Sequence, residues 1–201
     1  LIKLRMFGET ITKYICAIEE LQLLDRATQD DRLRLLKQED LLTEELLDIL
    51  HAIRKIGNKA NHEEGIYGTT EEAKALMNMA FRLSVWFMQV YGEWDFVAPE
   101  YVEPSKVEDS QNQEQLEVLA ASYDAKVQQL EQELLKLTQQ QDSKTPDEKQ
   151  KRHSMARQLG SALKFTEAET RVIIDDKLRQ AGWEADTLQL RFSAGTRPEK
   201  G

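Results

Sequence analysis

Apolar residues recur at three- and four-residue steps along most of this chain, and four such stripes fill its first half. Ile2, Met6, Ile11, Ile15, Ile18 and Leu21 predict a first amphipathic helix, with Gly8 tolerated inside it. Leu33, Leu35 and Leu36 give the apolar side of a short second helix over about 28–38. A third begins near Thr43, where Glu44 and Glu45 suit the positive end of a helix dipole, and carries Leu46, Ile49, Leu50, Ile53, Gly57 and Ala60 on one face until 62–65. Thr69 and Glu72 have capping-box spacing for a fourth, which runs through Met77, Phe81, Val85 and Met88 toward Gly92. None of these segments alternates as a strand does. The expected fold class is therefore all-α, with an antiparallel four-helix bundle over 1–98 as the arrangement that buries the stripes.

The pattern changes after Pro99. Pro99 and Pro104 bracket an extended linker, and Ser105 with Glu108 opens another helix. Leu116, Ala120, Tyr123, Val127, Leu130, Leu134 and Leu137 then alternate steps of four and three, the seam of a coiled coil. The seam breaks at 139–144. Thr145, Pro146 and Glu148 next supply a cap, a first-turn proline and a capping-box glutamate for a helix reaching about Lys164, with Met155, Leu159, Ala162 and Leu163 as its apolar positions. Residues 105–142 hold eight acids and three lysines, whereas 149–164 hold five Lys or Arg and no acid. Opposite charge predicts that the two helices fold back as a hairpin. Thr166 and Glu169 form a further capping box, Val172, Ile173, Leu178 and Ala181 follow at helical spacing to Gly182, and Trp183 to Phe192 reads as an incoming strand. The expected units are a helical bundle over 1–98, a linker and coiled-coil arm over 99–165, and the start of a further domain over 166–201.

Composition sharpens this division. Phe81, Trp86, Phe87, Tyr91, Trp94 and Phe96 crowd one region, while Tyr123 is the only aromatic between Val102 and Phe165, so the core belongs to the first unit and the arm cannot be a globule by itself. Trp86, Trp94 and Phe96 are either core or an apolar rim for assembly. A net charge of −9 and a pI near 5.0 argue against a general nucleic-acid binder. The single Cys16 among Ile15 and Ile18 reads as a small buried hydrophobe and suits a cytoplasmic setting. No apolar run has the length needed to span a bilayer, and no signal-peptide pattern opens the chain, whose first residue, Leu1, suggests a longer parent.

Candidate chemistry is sparse. Three His and one Cys, widely separated, give no metal-ligand spacing, and no glycine-rich loop matches a phosphate cradle. His51, Arg54, Asn58 and His62 step by three or four residues and line one polar stripe of the third helix. They resemble the Arg-to-His signature of HEPN proteins, four-helix folds in which paired Arg and His cleave RNA at a dimer interface. That resemblance implies a ribonuclease or toxin with Arg54, Asn58 and His62 at its centre. Here seven residues separate Arg54 from His62, more than the signature has, and Lys55 stands where a polar residue usually follows the Arg. The bland alternative is that Arg54 and Asn58 satisfy helix ends and that His62 caps a helix C-terminus. Lys149, Lys151, Arg152 and Arg157 either touch DNA phosphates or pair with the acidic arm.

The opening LIKLRMFGETITKYICAIEE, the internal HAIRKIGNKANHEEG and the closing TEAETRVIIDDKLRQAGWEADTLQLRFSAGTRPEKG together resemble the N-terminal region of the R (restriction) subunit of type I restriction-modification enzymes. The resemblance implies a non-catalytic assembly module. Its intact parent would be a Mg²⁺-dependent endonuclease and ATP-dependent DNA translocase working with specificity and methyltransferase subunits. No cofactor is expected in the chain itself, and self-association through the coiled coil is open. In that family the helix after the TEAET motif packs on a nuclease core, which singles out Glu169 as an acid able to support Mg²⁺; the remaining metal ligands would lie beyond Gly201. A purely structural coiled-coil adaptor is the second alternative.

Overall fold

The structure, a computed structural model, describes residues 2–23, 26–62, 69–93, 95–103, 129, 132, 146–183 and 185. All described elements are helical: α1 (Ile2–Ile18), α2 (Gln29–Gln38), α3 (Glu44–His62), α4 (Thr70–Tyr91), α5 (Pro146–Ser161) and α6 (Glu167–Gln180). The all-α class holds among the described residues. All positions of the heptad seam, and the strand expected over Trp183 to Phe192 apart from Trp183 and Ala185, lie outside them.

Caps set the helix starts. Thr28, Thr69 and Thr166 each adopt an extended backbone, accept an amide hydrogen bond from the residue three ahead, and receive that residue's carboxylate on their own amide, so that Asp31, Glu72 and Glu169 close three capping boxes. The Asp31 carboxyl is held below its ordinary range by the Thr28 hydroxyl and amide that donate to it.

One core joins the helices. Ile11, Ile15 and Cys16 of α1, Leu33 and Leu36 of α2, Leu46, Ile49, Leu50 and Ile53 of α3, and Leu76, Met79, Leu83 and Trp86 of α4 are buried together. Helix α1 packs mainly on α3, and α3 and α4 also meet directly. Helices α5 and α6 were expected in later units, yet Ala156, Val172 and Ile173 belong to this same cluster, with α6 against α3 and α4 and α5 against α4 and α3. Trp86 is 1% exposed, and its Nε1 donates to the Ala156 carbonyl at 3.0 Å, so it is a core residue and not part of an exposed rim. Trp94 lies outside the described residues, and Phe96 is half-buried.

Helix α5 keeps its expected face only in part: Leu159, and Leu163 just beyond the helix, pack against the core, while Ala162 is exposed. Met155 is exposed, and the positions turned inward are Ala156 and Gly160. A Cβ on Gly160 would come within 2.7 Å of Thr43 Cγ2 and 2.8 Å of Leu46 Cδ1. A side chain at that position would therefore force Thr43 and Leu46, at the start of α3, to move. Small residues carry little hydrophobicity, so a search for bulky apolar positions found Leu159 and Leu163 but passed over Ala156 and Gly160, which lie deepest.

Candidate functional site

The candidate residues separate into three places, each at a junction between helices. At the start of α6, Glu169 is 0% exposed. Its Oε2 accepts from the Thr166 amide at 2.7 Å, and its Oε1 lies 2.5 Å from Nη2 of Arg82 on α4, an ion contact without hydrogen-bond alignment. Arg82 also donates from Nη1 to the Lys164 carbonyl and stands over the Phe165 ring at 5.6 Å. Both oxygens of Glu169 thus serve the cap and the α4–α6 junction. Among the described residues no three His, Cys, Asp or Glu side chains gather as a metal-ligand set.

The polar stripe of α3 faces α2 and α6. Arg54 Nη2 pairs with Asp30 Oδ1 of α2 at 3.0 Å, and its Nε is buried without a hydrogen-bond partner among the described residues. Lys55 Nζ donates to Asp176 Oδ2 of α6 at 2.8 Å. His51 is half-buried nearby; burial first, and the Arg54 charge second, push its imidazole below the ordinary value of 6.5. Asn58 lies half-buried one turn beyond Arg54, and the His62 side chain is outside the described set. What the structure brings together is therefore Arg54 with Asp30 and Lys55 with Asp176, two ties between helices.

The basic run on α5 finds its acids on the bundle. Lys149 donates to Glu20 at 2.6 Å, Arg152 to Glu19 at 2.6 Å, and Arg157 to Asp40, while His153 Nε2 lies 3.1 Å from the other Glu19 oxygen. Lys151 is exposed. The expected partner, the acidic stretch 105–142, lies outside the described residues apart from 129 and 132; the acids that pair with α5 among the described residues lie just beyond the C-termini of α1 and α2. Burial works against ionisation of Glu19, but the hydrogen bonds from Arg152 and His153 outweigh it and hold the carboxyl below its usual range. The Arg152 guanidinium stands 5.7 Å over the Tyr91 ring, whose hydroxyl is buried, and burial drives that phenol's pKa well up. Sequence reading passed over Glu19, Arg82 and Tyr91. One signal was present for the first: two adjacent acids end α1, where the helix dipole disfavours negative charge.

An open hollow of about 490 Å³ lies beside the start of α6, between α4 and Tyr101–Glu103. Glu71, Lys74, Asn78 and Thr166 line it, and Lys74 is bridged to Glu103 at 2.9 Å. Its walls present no nucleophile set beside a base.

No family model matches the chain, and no solved structure matches it. A curated protein does: the type I restriction enzyme EcoKI endonuclease subunit of Escherichia coli (strain K12) is 31% identical over 245 residues, an alignment that takes in the whole chain. The chain is thus similar, over its whole length, to part of a type I restriction endonuclease subunit. It spans about a fifth, 21%, of that relative's length. Among the described residues no helix of this restriction-subunit relative is long and apolar enough to cross a membrane.

Proposed function

We propose that the chain is an assembly module from the N-terminal region of a type I restriction R subunit, silent as a catalyst by itself. The intact subunit would cleave DNA with Mg²⁺ and move along it with ATP, in a complex with specificity and methyltransferase subunits. One observation carries the reading: the groups able to do chemistry hold helices together instead. Glu169 is closed in by Thr166 and Arg82, Arg54 is bound to Asp30, and Arg152 is bound to Glu19. A ribonuclease centred on Arg54 needs that guanidinium facing a phosphate, and here it faces a carboxylate. Glu169 as a Mg²⁺ support would likewise have to surrender its cap and its arginine.

The test has two arms. The purified chain, incubated with DNA or RNA in Mg²⁺ and ATP, is expected to cleave neither, and His62→Ala should change nothing. Immobilised, it is expected to retain the specificity and methyltransferase subunits of its own system. Hydrolysis of either polymer, or no retention of either subunit, overturns the proposal.

A further inference from the structure

Three helices end in one hydrogen-bond motif: a left-handed residue whose amide donates three residues back, followed by an amide that donates five back. At the end of α6 the left-handed residue is Gly182, with φ 79°, where Gly182 N donates to Arg179 O at 3.1 Å and Trp183 N to Leu178 O at 3.0 Å. At α1 it is Glu20, with φ 57°, where Glu20 N donates to Ala17 O at 3.2 Å and Leu21 N to Cys16 O at 2.8 Å. At α2 it is Asp40, with φ 57°, where Asp40 N donates to Lys37 O at 3.0 Å and Leu41 N to Leu36 O at 2.9 Å. Glycine takes this conformation without strain, and a side chain does not. A carboxylate there also stands at the negative end of a helix dipole. Both disadvantages recur at Glu20 and at Asp40.

These two acids are also the ones that α5 grips. Lys149 binds Glu20, Arg157 binds Asp40, and between them Arg152 and His153 share Glu19. Positions 149, 152, 153 and 157 fall on one side of a helix at about one step per turn, so the bundle lays a row of carboxylates along the cationic side of α5. Helix α5 brings modest apolar surface of its own, Ala156 and Gly160 being buried and Leu159 half-buried against the core. Its attachment leans on charge.

We propose that α5 is an electrostatic strap, and that Glu19, Glu20 and Asp40 occupy the places of nucleic-acid phosphates. Released from this row, α5 presents Lys149, Arg152 and Arg157, next to the already exposed Lys151, to the backbone of a duplex. A duplex carries a dense phosphate array and gives up counterions on binding, an advantage three carboxylates lack. The masking also accounts for a phosphate-binding helix within a chain of net charge −9. A lipid surface is the poorer partner, because the cationic helix has no bulky apolar face to bury in it. The inference goes beyond the assembly reading and does not depend on it.

The 201-residue chain carrying Glu20→Gly and Asp40→Gly tests this, because glycine keeps both helix ends in their observed conformation while removing the acids. Amide hydrogen exchange across 146–161 is expected to quicken about tenfold, with α1 and α3 unchanged, and affinity for a short labelled DNA duplex at low salt to rise about tenfold. Adding Lys149→Ala and Arg157→Ala should abolish the gain. Unchanged exchange or unchanged affinity overturns the strap. An equal gain from the matched-charge control Glu93→Gln/Glu100→Gln overturns it as a mere effect of net charge. Tightened binding to phosphatidylserine vesicles without tightened binding to duplex overturns the assignment to nucleic acid.

Discussion

Helix α3 gives the core Leu46, Leu47, Ile49, Leu50, Ala52 and Ile53, whereas α5 gives it Ala156 and a half-buried Leu159 and reaches its neighbours with Lys149, Arg152, His153 and Arg157. Both helices touch the same body. Each large apolar side chain buried on α3 is worth about 1.5–3 kcal/mol, while an exposed pair such as Arg157–Asp40 contributes about 0–1 kcal/mol, and of the α5 pairs only Arg152–Glu19 is buried. The contacts also differ in what can replace them. Nothing in water substitutes for the environment of a buried leucine, but salt, protons or another anion substitute readily for a carboxylate. Helix α3 therefore makes the fold, and α5 is placed on it by bonds that solution conditions can exchange.

If that contrast is right, Leu50→Ala should lower global stability by about 3–5 kcal/mol in chemical denaturation, the cost of a cavity at a fully buried site. A loss near 1 kcal/mol would mean that α3 is not the keystone. Glu19→Ala strands Arg152 and His153 and is expected to cost about 3 kcal/mol at the α5 junction, seen as lost amide protection in α5 with α1–α3 retained. Acid should reproduce that loss. The Glu19 carboxyl is held below its ordinary value of 4.5, so the stability it confers is complete above that pH and disappears as pH falls through the lowered value. Release of α5 on raising the pH instead would contradict the pairing.

Gly160→Leu introduces bulk where a single Cβ already meets Thr43 and Leu46, and should loosen α5 by about 1–3 kcal/mol while leaving the four N-terminal helices intact by hydrogen exchange. Arg171→Ala removes an exposed pair with Glu167 within α6 and should shift the denaturation midpoint by no more than about 0.5 kcal/mol. A larger effect would mean that surface charge matters beyond the α5 junction.

The helix starts could be read in the sequence because their signals are local: Thr69 with Glu72 and Thr166 with Glu169 are three residues apart, and the structure forms both boxes. The apolar stripe of α3 is local for the same reason, and Leu46, Ile49, Leu50 and Ile53 are buried, as are Ile11 and Ile15 of α1. On α4 the expected face is the wrong one: Met77 and Met88 are exposed and Phe81 and Val85 half-buried, while Leu76, Met79, Leu83 and Trp86 enter the core, because this helix is apolar nearly all round and spacing alone does not choose its inner side. What else escaped is nonlocal or small. The basic run on α5 announces a need for acids but not which acids, and those chosen lie more than a hundred residues earlier, at Glu19, Glu20 and Asp40. Gly160 was silent because its contribution is the absence of a side chain. Arg54 and Glu169 were recognised as unusual, and the physics of burial explains why: each is a charge inside the fold that requires an opposite charge, found in Asp30 and Arg82.

Cys16, the one sulfhydryl in the sequence, lies buried at the end of α1, where loss of solvent pushes its pKa up to about 11. At neutral pH it is nearly devoid of thiolate and closed to reagents, so alkylation is limited by how often that end of the molecule breathes. A single mass increment per molecule would then time those excursions without any engineered label.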